Sequence, residues 1–231
     1  MYRSTSLTMV MALLGVVTVA EADPVRVDQM VTPNSGDHAT VSGDIVQAQT
    51  FTVGTTGTLA SLDLYISWTQ TITDVPGSLL VDIRPTTNGV PVLDSAAAFT
   101  SFSFRPSGAP TSPPGRLFTV DLSGAGLNVY AGELLAFALR SPESLFLRAE
   151  YQFGAASTNP YSRGALFTAA PSLGLPEMTK DPRFDLAFTT YVSPAPVPEP
   201  ATLTLVGIGL AGYGWRARRQ LVKRNSQQKD S

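Results

Sequence analysis

Apolar and polar residues alternate along the middle of the chain with the two-residue period of β-strands. In one segment Leu62, Leu64 and Ile66 share one face, and polar residues lie on the other. The alternation recurs in segments 79–84, 102–104, 118–122, 135–139, 145–151 and 184–188. Clusters of Gly, Pro, Asn and Asp separate these segments, and no stretch keeps a helical period. The pattern therefore predicts a domain built from strands of about 5 to 9 residues.

Strands with one apolar face bury that face when two sheets pack together. We therefore expect residues 23–192 to form an all-β, antiparallel β-sandwich, a jelly roll of about eight to ten strands. A segment of this length is sufficient for one hydrophobic core. The predicted core residues are Phe51, Leu62, Leu64, Trp68, Val81, Ile83, Phe118, Val120, Phe137, Leu139, Phe184, Leu186 and Phe188.

Residues 1–22 have the order of a secretory signal peptide. Arg3 gives a basic start, and residues 7–20 form an uncharged, mostly apolar run. Ala20-Glu21-Ala22 then places small residues at the spacing that signal peptidase recognises. The apolar run is too short to anchor the chain, because a membrane-spanning helix needs about 20 residues. We predict cleavage after Ala22 and export of the remaining chain.

The C-terminal segment combines a spacer, an apolar run and a basic cluster. Residues 193–200 contain four prolines, which oppose helix and sheet pairing and predict an extended linker. Residues 201–219 join an uncharged run to Arg216, Arg218 and Arg219, a stop-transfer order that leaves the basic tail 220–231 in the cytoplasm. Residues 202–215 would measure about 21 Å as a helix, less than the hydrocarbon thickness of about 30 Å. We therefore predict a short transmembrane helix that is held weakly.

Three consecutive features at the C-terminus carry a family resemblance. The motif Val197, Pro198, Glu199 and Pro200, the glycine-rich apolar run and the arginine cluster resemble the PEP-CTERM sorting signal of Gram-negative bacteria. The resemblance implies export, transient anchoring in the inner membrane and recognition of Pro198-Glu199-Pro200 by an exosortase. It further implies that the processed protein resides at the cell surface or in the extracellular matrix.

A second resemblance concerns the body of the chain. Segments 49–53, 62–66, 81–84, 134–139 and 184–188, in this order, are similar to lectin-like jelly-roll domains of surface-anchored bacterial proteins. The resemblance implies the sandwich fold. It implies no particular ligand, since sandwiches of this kind have many functions.

The loop region 151–164 is the most suggestive candidate for ligand binding. The rings of Tyr151 and Tyr161 could stack on a sugar, while Asn159 and Arg163 could donate hydrogen bonds. A structural interpretation is also open, in which Tyr151 ends a strand and Tyr161 covers the edge of the sandwich.

Composition excludes several kinds of site. The chain has no cysteine and one histidine, so disulfides, thiolate zinc sites, cysteine nucleophiles and two-histidine metal motifs are impossible. Residues 23–192 carry 9 basic and 15 acidic side chains, a net charge of -6 that argues against nucleic acid as a partner. The G-x-G-x-x-G pattern at 207–212 lacks the following helix and strand of a dinucleotide-binding unit. We therefore predict no cofactor.

Catalytic interpretations rest on carboxylates. Nothing in the sequence brings two of them to the separation of about 5 to 9.5 Å that glycoside hydrolysis needs. His38 lies in a polar turn without an accompanying G-x-S-x-G serine. A structural calcium ion held by loop oxygens stays open, although no EF-hand spacing is present. The available glutamates are Glu133, Glu143, Glu150 and Glu177.

We predict an exported, non-enzymatic surface or matrix protein whose jelly roll binds exopolysaccharide. Its expected partners are signal peptidase, an exosortase and, transiently, the inner membrane. One alternative is a secreted polysaccharide hydrolase or lyase. Another is an ice- or surface-binding protein, which would need a regular array of threonines that residues 50–58 do not provide.

Overall fold

The computed structural model describes residues 24–70, 78–141, 149–158, 160–170 and 174–196. The predicted signal peptide, the motif at 197–200 and the segment 201–231 lie outside these residues. Ala22–Ala195 form one compact unit. The second unit, Met1–Glu21 with Pro196–Ser231, lies outside the described residues except for Pro196.

Strands dominate the described residues, and all of their pairings are antiparallel. Two short 3₁₀ turns, Ser95–Ala97 and Ser123–Ala125, interrupt them. The strands are β1 (Arg26–Val31), β2 (His38–Val41), β3 (Val46–Thr52), β4 (Gly57–Gln70), β5 (Leu79–Thr87), β6 (Val90–Pro91), β7 (Thr100–Phe104), β8 (Arg116–Asp121), β9 (Asn128–Val129), β10 (Leu134–Arg140), β11 (Ala149–Ser157), β12 (Gly164–Ala170), β13 (Leu175–Asp181), β14 (Phe184–Leu186) and β15 (Phe188–Pro194).

Two sheets share these strands. The first has the order β1-β15-β4-β11-β14, with β2 paired to β11 and with β8 and β9 paired to β4. The second has the order β13-β12-β3-β10-β5-β6, with β7 paired to β5. Buried apolar side chains from both sheets form one core cluster, so the two apolar faces pack against each other. The predicted antiparallel β-sandwich is confirmed.

The described residues hold fifteen strands, more than the eight to ten predicted. Four of them, β2, β6, β9 and β14, have four residues or fewer and are too short to show a period. The sequences of β1 and β13 are too polar to show an apolar face. Alternation therefore finds long, half-buried strands and misses short or polar ones.

Three phenylalanine rings join the two sheets at the centre of the core. Phe51 of β3 and Phe137 of β10 face Phe188 of β15, with ring centroids 6.1 Å and 5.3 Å from the Phe188 centroid. Such tilted and edge-on contacts stabilise a core beyond the apolar area that they bury. Ten of the predicted core residues are buried, and Trp68, Phe118 and Phe184 are half-buried against them.

The polar faces of the strands are not all exposed, and here the alternation is misleading. Asp63, Asp82, Arg84 and Asp185 are all buried. Asp63 lies between two hydroxyl donors from neighbouring strands, since Thr119 Oγ1 and Tyr191 Oη lie 2.5 Å and 2.9 Å from its carboxylate oxygens. Buried charges of this kind need such partners, because burial without them is costly.

The outer face of β5 carries a buried ionic group that we call the Asp82 cluster: Asp82, Arg84, Ser101 and Arg140. Arg84 Nη2 and Arg140 Nη2 lie 2.7 Å and 2.5 Å from Asp82 Oδ2, and Ser101 donates to Oδ1. Arg84 Nη1 donates to the carbonyl oxygens of Val92 and Asp94, at 2.9 Å and 2.7 Å. Residues 92–94 therefore cover this face of the sheet.

The charge balance of the cluster sets the protonation of Asp82. Burial alone would raise the pKa of this carboxyl. The hydrogen bonds from Ser101 and Arg84, with the positive charges of Arg140 and Arg84, outweigh burial and hold the Asp82 pKa below its usual value. Asp82 is therefore the buried anion that balances two arginines.

The last strand runs past the predicted domain boundary at 192. Ser193 pairs with Thr58 and Pro194 with Gly57, and the Ala195 N–H donates to the Thr56 carbonyl at 3.1 Å. Pro194 lies beyond Val192, the last residue of β15 that pairs with β1, so β15 is an edge strand at this point and tolerates a proline. Residues 193–195 of the predicted linker 193–200 therefore belong to the sandwich.

Candidate functional site

The two tyrosines proposed from the sequence as sugar-stacking residues are buried. Tyr151 lies opposite Trp68 in the register of β11 and β4 and is 2% exposed, and Tyr161 is 8% exposed. Burial raises the pKa of both phenols to about 12. Both rings are buried, so neither offers an open face for the predicted stacking. Tyr151 lies within β11 and does not end a strand, and Tyr161 packs against Phe188.

Tyr161 connects three strands instead. Its hydroxyl donates to Gln29 Oε1 at 2.9 Å and accepts a hydrogen bond from the Thr52 N–H at 3.3 Å. Its ring stands edge-on to Phe188, with a centroid separation of 5.5 Å. These contacts fix the position of Tyr161, shortly before β12 begins at Gly164.

Arg163 is exposed, and its Nη1 reaches the same Gln29 Oε1 at 3.5 Å. Gln29 thus brings Arg163 and Tyr161 together, while Tyr151 stays apart within the core. Asn159, the fourth predicted residue, lies outside the described residues.

The predicted loop region nevertheless forms one wall of a cleft of about 270 Å³. The other wall is the end of β1 and the residues after it. We call it the Asn34 cleft. It is lined by Met30, Val31, Thr32, Asn34, Ala156, Ser157, Thr158, Pro160 and Tyr161.

A hydrogen-bond network around Asp37 fixes the geometry of this cleft. Asn34 Nδ2 donates to Asp37 Oδ2 at 3.1 Å and to Ser157 Oγ at 3.0 Å, and the Ser157 N–H donates to Asp37 Oδ2 at 3.1 Å. The side-chain bonds from Ser157 and Asn34 lower the pKa of Asp37. The two walls are therefore joined by side chains about 120 residues apart in sequence.

Thr158 at the rim has a φ of 74°, in the left-handed region that a β-branched residue rarely adopts. Strain of this kind costs about 1–3 kcal/mol and is concentrated at binding sites and clamps. The hydrogen bonds of the neighbouring Ser157 to Asn34 and Asp37 hold Thr158 in this conformation.

Both apolar and polar residues line the Asn34 cleft. Met30, Val31, Ala156 and Tyr161 supply the apolar surface. Within the described part of the chain, the hydroxyls of Thr32 and Thr158 form no hydrogen bond. Small-ligand sites typically combine an apolar surface with a few convergent polar groups. The cleft can therefore hydrogen-bond a polyhydroxylated molecule while covering one of its apolar faces.

A second groove of about 270 Å³ opens between β2 and β12–β13. His38 lines it, and its Nδ1 donates to the Gly36 carbonyl at 3.1 Å. Arg183 lies over the Phe184 ring at 5.3 Å and pairs with Asp181 at 2.8 Å. The guanidinium is thus already engaged by its own neighbours.

Of the candidate carboxylates that the structure describes, Glu133, Glu150 and Glu177, none lines either cleft. Glu133 accepts a hydrogen bond from the Tyr130 N–H at 3.0 Å within a turn, and Glu150 and Glu177 belong to β11 and β13. Glu143 lies outside the described residues. Across residues 24–70, 78–141, 149–158, 160–170 and 174–196, no group of three His, Cys, Asp or Glu side chains could hold a metal ion.

Comparison with known proteins assigns the C-terminal segment. Residues 196–219 match the PEP-CTERM protein-sorting motif, so this chain carries that sorting signal. The motif indicates a membrane-anchored, exported precursor that an exosortase processes to a surface protein. The part of the chain that the structure describes contains no helix long and apolar enough to span a membrane; the predicted transmembrane helix lies outside it.

The sandwich has a structural neighbour. It is similar to the cysteine protease and lectin-like domains of Cwp84, a surface layer associated protein of Clostridium difficile, with 11% sequence identity and a TM-score of 0.42. The similarity covers 70% of this chain and 37% of that one. No curated protein matches the sequence.

Proposed function

We propose that this exosortase-sorted chain is a non-enzymatic surface or matrix protein that binds exopolysaccharide in the Asn34 cleft. The position of the cleft carries the proposal. In the antiparallel pair of β1 and β15, Arg26 lies opposite Val192, near the point where the chain leaves the sandwich toward the sorting motif. Val31, which lines the cleft, lies opposite Phe188 at the other end.

The two ends of this strand pair are about 17 Å apart, since five residues each advance about 3.3 Å. Within the sandwich, the cleft therefore lies at the opposite end of this strand pair from Val192. This position supports binding of an external polymer, because the cleft and the point where the described chain ends lie at different ends of the strand pair.

The chemistry of the cleft supports a sugar ligand. Its volume is close to the lower end of the range of about 300–1,000 Å³ for small-ligand sites, which suits one end or one unit of a polysaccharide. Threonine hydroxyls can exchange hydrogen bonds with sugar hydroxyls. Asn34 Oδ1 can accept one, while both hydrogens of its Nδ2 bind Asp37 and Ser157.

The residues that line the cleft support a binding rather than a catalytic role. Among those that the structure describes, none is Asp or Glu, and glycoside hydrolysis ordinarily uses a pair of carboxylates. The nearest carboxylate in the network, Asp37, is occupied by Asn34 and Ser157. The polysaccharide is therefore expected to leave the cleft uncut.

Filling the cleft tests the proposal. We expect Thr32→Trp, at an exposed position on the cleft wall, to weaken binding of the host's purified exopolysaccharide at least tenfold, or about 1.4 kcal/mol. Binding is measured by titration calorimetry on the protein secreted by its host. Thr87→Trp is the matched control, because Thr87 is exposed at the end of β5 and does not line the Asn34 cleft.

Equal affinity of the Thr32→Trp and Thr87→Trp proteins would contradict the assignment of the cleft. The chain length of the polysaccharide, measured by size-exclusion chromatography before and after incubation, tests the non-enzymatic role. Shortening of the polymer by the unmodified protein would instead favour a hydrolase or lyase.

A further inference from the structure

The folded sandwich ends close to the sorting motif. Ala195 donates the last backbone hydrogen bond of the described chain, to Thr56. Only Pro196 and Val197 separate it from Pro198-Glu199-Pro200. Even a fully extended chain covers no more than about 11 Å over these three steps.

A peptidase acts on a segment whose backbone is free of other pairing, because its cleft must hold the chain in an extended form. The residues directly before the motif in the sequence are still paired in the sandwich, since Ser193 and Pro194 pair with β4 and Ala195 donates to Thr56. The stretch of unpaired backbone available on the N-terminal side of Pro198-Glu199-Pro200 is therefore short.

We propose that Ser193–Ala195 must detach from β4 before the exosortase can process the motif, so that this short pairing controls the rate of processing. The inference rests on the sorting motif and not on the proposed ligand. Gly57 and Thr56, which hold this segment, would then regulate the processing of the chain to which they belong.

Burial identifies the part of β15 that can detach. Val192 is fully buried and anchors the strand, whereas Ser193 and Pro194 are half-buried and Ala195 is exposed. Few contacts and exposed hydrogen bonds are the properties of segments that open locally without global unfolding.

Gly57 permits the close approach of this terminal segment. A Cβ atom at Gly57 would lie 2.1 Å from the Ser193 carbonyl oxygen and 2.8 Å from Pro194 Cα. Val192 Cγ1 would also lie 2.8 Å from this Cβ atom. Since the two atoms contributed by Ser193 and Pro194 belong to the backbone, Gly57→Ala has to push the segment away from β4. Detachment can therefore be favoured without altering the motif itself.

The test is a pulse-chase measurement of processing of the full chain in its host. We expect an eight-residue Gly-Ser insertion between Pro196 and Val197 to raise the initial rate several-fold, and Gly57→Ala to raise it in the same direction. Combined with the insertion, Gly57→Ala should have no further effect, because the longer spacer already frees the motif.

Gly164→Ala is the matched control. A Cβ atom there would lie 1.9 Å from the Thr50 carbonyl oxygen, so the change strains the other sheet and leaves the end of β15 alone. An insertion that leaves the rate unchanged would overturn the proposal, and it leaves every sandwich residue intact. Equal acceleration by Gly164→Ala and Gly57→Ala would also overturn it, since global unfolding would then control the rate. A wild-type chain that is never shortened would contradict sorting itself.

Discussion

Replacing Asp82 by alanine is expected to lower the free energy of unfolding by about 3–5 kcal/mol, because it leaves Arg84 buried without its counter-charge. Both residues are fully buried, and Arg84 reaches Asp82 Oδ2 at 2.7 Å. Ser101 and Arg140 would lose the same acceptor. The loss therefore comes from uncompensated polar groups more than from the missing attraction.

Urea denaturation of the secreted protein at neutral pH measures this loss. Asp181→Ala is the control, because Asp181 pairs with Arg183, whose side chain is 73% exposed, and exposed pairs contribute about 0–1 kcal/mol. The double variant Asp82→Leu, Arg84→Met should lose less than Asp82→Ala, since it removes both charges of the close pair. If Asp82→Ala costs no more than Asp181→Ala, the Asp82 cluster does not have the stabilising role assigned to it.

Replacing Asp185 by alanine is expected to lower the free energy of unfolding by about 2–4 kcal/mol and to lower the ligand affinity of the Asn34 cleft. The buried carboxylate accepts hydrogen bonds from the Tyr161 N–H at 2.8 Å and from Gln49 Nε2 at 3.0 Å. Each buried donor left without an acceptor costs about 1–3 kcal/mol. Tyr161 lines the cleft, so loss of its support should reduce ligand affinity as well.

Urea denaturation and calorimetric titration of the same preparations check both expectations. Asp185→Asn is the milder companion variant, because its amide oxygen can still accept from Tyr161. An Asp185→Ala protein as stable as the wild type would contradict the role of this carboxylate between the sheets.

Two of the buried aspartates, Asp185 and Asp82, should give opposite pH dependences. Burial raises the pKa of Asp185, so its folded form binds the proton more tightly than the unfolded chain does. Its contribution to stability is present below the unfolded pKa of about 3.9 and is lost as pH rises through the folded value. The pKa of Asp82 is lowered, so its contribution is present above about 3.9 and is lost as pH falls through the folded value.

This sign difference is measurable by urea denaturation between pH 3 and pH 7. The stability advantage of the wild type over Asp185→Asn should shrink as pH rises, whereas its advantage over Asp82→Asn should grow. Parallel curves for the two variants would show that neither carboxyl titrates in its assigned direction.

The sandwich and most of its core could be predicted from sequence because alternation reports which side chains face the core. It cannot report what covers the opposite face of a strand. Asp82 and Arg84 look like solvent-facing residues of β5, yet residues 92–94 fold over them. Opposite charges two residues apart on one strand face were the available signal for an ion pair.

The candidate site was predictable only in part. The segment around Tyr161 is correctly placed beside a cleft, but the opposite wall comes from Thr32 and Asn34, far away in sequence. The Asn34 N–H donates to the Ala155 carbonyl at 2.9 Å, a tertiary contact that no local pattern encodes. Burial of the Tyr161 ring likewise depends on Gln29 and Phe188 from other strands.

The most direct test of exosortase sorting is the intact mass and cell fraction of this protein from its host, with and without the exosortase. With the enzyme, we predict a surface or extracellular product that lacks residues 1–22 and ends near Pro198. Without it, we predict a membrane-bound precursor that retains residues 196–231. Full-length, uncut chain found soluble inside the cell in both strains would contradict the account.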